Sequence, residues 1–146
     1  MRKFIALSLA TAIVLSAGVA GALGASTSSA ATVKLEAKGL SGTKEVPRGS
    51  PTGKGAADFT ITGSKVCWDF TISGTGKPLA AHIHRGRTGT ARPVVVPLGA
   101  AYRQQGCTTA PASVAKAITA NPSGFYVNVH TKQFPNGAIR AQLARP

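Results

Sequence analysis

The stretch GAADFTITGSKVCWDFTISG, residues 55–74, decides the fold class. Ala57, Phe59 and Ile61 alternate with Asp58, Thr60 and Thr62. Val66, Trp68, Phe70 and Ile72 alternate with Cys67, Asp69 and Thr71. Successive side chains of a strand point to opposite faces, so each run has one apolar and one polar face. TGSK between them is turn chemistry. The segment reads as a β-hairpin with one face meant for a core.

Outward from this hairpin the same pattern recurs. TVKLEAKGL, 32–40, places Val33, Leu35 and Ala37 together. PLAAHIHRG at 78–86, PVVVPLG at 93–99, SGFYVNVHT at 123–131 and GAIRAQLAR at 137–145 add further strands, short and divided by Gly, Pro and Ser. One helix is expected, over 112–120 in PASVAKAITANP, with a proline just before it and another just past its end. SGTKEVPRGSPTGKG, 41–55, is a loop by composition, and no internal repeat is present. Many short strands with turn signals and one helix predict an all-β sandwich or barrel.

The chain opens with Arg2 and Lys3, runs on through an apolar stretch from Phe4, and reaches small residues by Ala31. That is the pattern of a secretory signal peptide. Ser8, Thr11, Ser16 and Gly18 interrupt the run, which falls short of the about 20 apolar residues of a membrane span. Cleavage after Ala25, Ala30 or Ala31 fits, and Ala31 is favoured because the first strand pattern starts just beyond it. Residues 1–31 are thus expected to be a signal peptide read by the general secretory route. Residues 32–146 are expected to form one secreted, monomeric domain with no membrane span.

Two cysteines remain, Cys67 and Cys107, and in an exported chain they are expected to pair. The bond closes a loop of 40 positions. In the chain-entropy account that is worth about 4 kcal/mol. Without Arg2 and Lys3, fifteen basic residues face only Glu36, Glu45, Asp58 and Asp69, a net charge of +11. Such a charge draws a protein toward anionic envelope polymers or acidic protein partners. Nucleic acid is not expected, because there is no recognition-helix motif and aromatics make up only 5% of the chain.

Three histidines are present: His82, His84 and His130. By strand parity His82 and His84 share a face, with Ala81 and Ile83 opposite. In FYVNVH, Phe125, Val127 and Val129 form the apolar face, and Tyr126, Asn128 and His130 the other. All three histidines therefore lie opposite the apolar faces. Two uses fit. The rings can tie loops to strands through backbone carbonyls, or they can hold copper or zinc as a three-nitrogen site. No nucleophile elbow, paired-carboxylate motif or phosphate loop is found, so no catalytic residue and no enzyme activity are expected. Glu45, Asp58 and Asp69 read as solvated charges.

LSGTKEVP at 40–47, AHIHRG at 81–86, PVVV at 93–96 and YVNVHTKQFPNGAIRAQL at 126–143 resemble the CHRD domain, named from chordin. The resemblance spans Leu40 to Leu143. It implies an immunoglobulin-like Greek-key β-sandwich, distantly similar to copper–zinc superoxide dismutases. It also implies a disulfide between a cysteine before AHIH and one after PVVV, which here is Cys67–Cys107. The histidine pair of those dismutases is similar to His82 and His84. A dismutase centre needs more histidines than the three in this chain, so dismutase activity is not implied.

Overall fold

The computed structural model describes residues 29–146. All but the last three residues of the expected signal peptide lie outside them. Eight strands form: β1 (Thr32–Ser41), β2 (Lys54–Thr62), β3 (Lys65–Ser73), β4 (Pro78–Arg85), β5 (Val94–Pro97), β6 (Gln105–Thr109), β7 (Phe125–Thr131) and β8 (Ile139–Gln142). Helix α1 (Ala112–Ala120) occupies the expected stretch, and short 3₁₀ turns lie at Gly42–Lys44 and Pro122–Gly124. No helix among the described residues is long and apolar enough to cross a membrane.

The strands pair antiparallel in the order β5-β4-β7-β8-β1-β2-β3-β6. The seam between β8 and β1 is thin. It consists of the Ser41–Arg140 pair and a bridge between Glu36 and Ala144. The sheet folds on itself there into two four-stranded halves, β5-β4-β7-β8 and β1-β2-β3-β6. The chain changes half after β3, β5 and β6, a Greek-key path through an all-β sandwich. The hairpin that opened the sequence is β2 and β3, in register from Lys54–Ser73 to Thr62–Lys65.

The alternation predicted from the sequence builds the core. Leu35, Phe59, Ile61, Val66, Trp68 and Phe70 from one half meet Ile83, Val96, Phe125, Val127, Val129 and Ile139 from the other in one cluster. Ala115 and Ile118 of α1 close it. Ala141 is buried against this core.

β6 was not legible in the sequence. Its residues, QGCTT, carry no apolar alternation. They form a strand because they pair with β3, where Cys67 and Cys107 lie directly opposite each other. The two are disulfide-bonded, with Cα atoms 4.0 Å apart. The bond ties this edge strand to its neighbour β3.

Candidate metal centre

β4 and β7 are neighbours, and their register decides the centre. His82 pairs with Asn128, His84 with Tyr126, and Ala80 with His130. On the other side of β7, Asn128 pairs with Arg140 and Tyr126 with Gln142 of β8. The parity expected from the sequence therefore holds. All three histidines lie on the face opposite Ala81, Ile83, Val127 and Val129.

That face is not open to water. Asn128, Tyr126, Arg140 and His84 are all buried, while His82 and His130 are half-buried. Two loops cover it. Residues 42–50 lie against β8 through Ser50 N–H to the Ala138 carbonyl, 2.8 Å. Residues 86–93 are held by His84, Tyr126 and Arg140. The reading of Glu45 as a solvated charge is corrected by this packing. The first of these loops buries its side chain to 5% exposure beside Asn128 and Arg140. Gly137 makes room for it. The φ of Gly137 is +135°, and a Cβ there would strike the Glu45 carboxyl. Asp58 and Asp69 are exposed, as expected.

Two of the three histidines tie a loop to a strand through one ring nitrogen, which leaves the other nitrogen of each ring for a different use. His84 Nδ1 lies 2.6 Å from the Arg92 carbonyl oxygen, and His130 Nδ1 lies 2.8 Å from that of Pro135. A carbonyl only accepts, so both Nδ1 atoms donate. In a neutral ring this leaves each Nε2 as a bare lone pair. The two lone pairs converge. Each Nε2 is 3.0 Å from Asn128 Oδ1, and His130 Nε2 is also 3.1 Å from His82 Nδ1. One ring nitrogen from each histidine lies within 4.8 Å of the others. Outer partners that fix the ligand tautomer through the second ring nitrogen are the usual support of a metal-binding histidine.

The surroundings disfavour protons on the rings of His82 and His84. Burial, then the neighbouring His130 and His84, push the His82 pKa down to about 4. Burial also lowers His84, against the pull of its bonds to Arg92 and Asn128. Neutral imidazole is the ligand form. Glu45 moves the other way. Burial raises its pKa to about 7, partly offset by Arg140, Asn128 and the Val46 backbone. Arg140 donates to the Thr90 carbonyl at 2.8 Å, and its guanidinium lies 4.2 Å over the Tyr126 ring. Two buried polar atoms of this layer, Glu45 Oε1 and Arg140 Nη2, have no hydrogen-bond partner.

The sequence pointed to the three histidines and missed Glu45, Asn128, Tyr126 and Arg140. Strand parity carried a signal for the last three. Asn128 and Tyr126 share the face of His130, and Arg140 stands opposite Ile139 and Ala141 in β8. Nothing in residues 42–50 announces that Glu45 folds onto that face.

A family model described as the CHRD domain matches residues 37–143. No curated protein and no solved structure matches the chain.

Proposed function

The chain belongs to the CHRD domain family, and from that premise we propose that it is a secreted, monomeric metal-binding module whose His82, His84 and His130 hold one copper or zinc ion. The observation that carries this reading is the approach of one ring nitrogen from each histidine to within 4.8 Å of the others. With both Nδ1 atoms engaged as donors to backbone carbonyls, the Nε2 atoms of His84 and His130 are the ring positions left to hold an ion. Zinc binds imidazole nitrogen at about 2.0–2.1 Å, so tetrahedral ligands sit about 3.3 Å apart. The 3.1 Å between His82 Nδ1 and His130 Nε2 is close to that spacing, and the three ring nitrogens, within 4.8 Å of one another, would draw together around the ion. Imidazole suits copper as well as zinc. With three histidines and no assigned base, buffering or transfer of the ion fits better than catalysis.

Residues 1–31 serve in this reading as a signal peptide for the general secretory route, leaving 32–146 as the exported domain. The family and the Cys67–Cys107 bond support export. The test is calorimetric titration of the oxidised chain from residue 32 with copper and with zinc. One-to-one binding below micromolar, lost in H82A/H84A, is the expected result. Equal metal content in wild type and in that variant overturns the reading.

A second reading has its own observation. Beyond residue 31 the net charge is +11, and the one ion pair among the described residues is the surface contact Lys38–Glu36. Most of the basic side chains thus face solvent uncompensated. This favours association with anionic envelope polymers, weakening steeply with salt.

A further inference from the structure

Residues 86–93, between β4 and β5, carry Arg87 and Arg92 and follow directly on Arg85. The three arginines border an open cleft of about 620 Å³ whose lining includes Pro93 and Val95. Small-ligand sites typically occupy about 300–1,000 Å³. No carboxylate among the described residues pairs with any of the three guanidinium groups.

The loop that carries them is tied down at four backbone atoms. His84 Nδ1 donates to the Arg92 carbonyl at 2.6 Å, and the Arg92 N–H donates to the Tyr126 hydroxyl at 3.2 Å. Arg140 donates to the Thr90 carbonyl at 2.8 Å, and Gln142 to that of Gly86 at 2.9 Å. These partners stand on β4, β7 and β8, so the sheet itself sets the loop's shape. The Arg85 guanidinium lies 4.7 Å over the Phe125 ring, which restricts its rotamers. A loop backbone held in advance spends little of its own ordering entropy on a ligand.

From this geometry we propose that the cleft binds an acidic sugar unit of an extracellular polysaccharide. The carbon–hydrogen face of the ring rests on Pro93 and Val95. Its carboxylate is taken by Arg85, Arg87 and Arg92, whose planar forks match a carboxylate in two-point contact. A polyphosphate chain would use the arginines and leave the apolar floor uncovered. The proposal rests on the second reading above, association with anionic polymers, and gives it a location and a ligand class.

The test compares binding of oligogalacturonate, polyphosphate and neutral dextran to wild type, to R85Q/R87Q/R92Q and to K34Q/K54Q/K65Q. All six positions are exposed, so neither variant threatens the fold. Bonds to charged groups are strong enough that losing the three arginines should weaken oligogalacturonate binding at least about tenfold. The lysine variant, with the same charge change, should lose less than about threefold, and dextran should not bind. Equal losses in the two variants overturn the cleft while leaving polyanion binding in place. Polyphosphate bound as tightly as oligogalacturonate overturns the sugar. If wild type binds no polyanion even at low salt, the underlying reading falls with the proposal.

Discussion

Asn128 presents its carbonyl oxygen to the Nε2 atoms of two histidines while its amide faces Glu45. One residue thus joins a carboxyl and a set of lone pairs in a layer where water has little access. Burial drives the carboxyl and His82 toward their neutral forms, and the two respond to pH in opposite senses. The folded pKa of Glu45 is raised from 4.5 to about 7. Its contribution is complete below the unfolded value and is lost as pH rises through about 7. The folded pKa of His82 is lowered from 6.5 to about 4. Its contribution is present above 6.5 and is lost as pH falls toward 4. Glu45→Gln keeps a partner for Asn128 and removes the buried charge. In chelator-treated protein it should raise Tm at pH 8, with the gain fading to nothing near pH 4.5. Thermal melts across that range check it, and no gain at pH 8 would mean that Arg140 already compensates the carboxylate.

Among the elements, β7 and β6 are opposites. β7 is central and covered on both faces: Phe125, Val127 and Val129 meet the apolar core, while Tyr126 and Asn128 lie under the two loops. Its alternation of apolar and polar residues therefore separates two buried environments rather than core from solvent. β6 is an edge strand, mostly exposed, and among the described strands it pairs with β3 alone. Little apolar area holds it, so its attachment rests on the ladder with β3 and on the disulfide. Replacing both cysteines by alanine should cost up to about 4 kcal/mol of unfolding free energy. Denaturant titration gives that number, and amide exchange should show β6 opening before β7. Unchanged stability would mean that pairing with β3 suffices.

At the scale of the whole molecule, eleven excess positive charges sit on a small domain with little internal compensation. Such a surface repels itself, and the compact state bears that cost. Screening relieves it. Raising salt from about 0.01 M to about 0.15 M shortens the Debye length from about 30 Å to about 8 Å. Tm should rise over that interval and change little beyond it. A fall in Tm on adding salt would show that attractive pairs outweigh the repulsion. The same charge makes the domain's encounter with polyanions fast and salt-dependent, while the arginine cleft adds a place where an encounter can become a specific contact.

The sequence by itself determined what depends on a period of two residues or on local punctuation. The β2–β3 hairpin, the helix at Ala112–Ala120, and the shared face of His82, His84 and His130 all follow from alternation, turns and flanking prolines. With only two cysteines, it also left a single possible intrachain disulfide. The tertiary structure decided what depends on contacts far apart in the chain. It set β7 between β4 and β8, so that histidines from two strands meet across Asn128. It made a strand of residues 105–109 without apolar alternation. It folded residues 42–50 and 86–93 over the polar face, turning Glu45, Asn128 and Arg140 into buried groups. The physical reason is one of range. A side chain's face is set by its own backbone, whereas its burial is set by whatever distant segment packs on top of it.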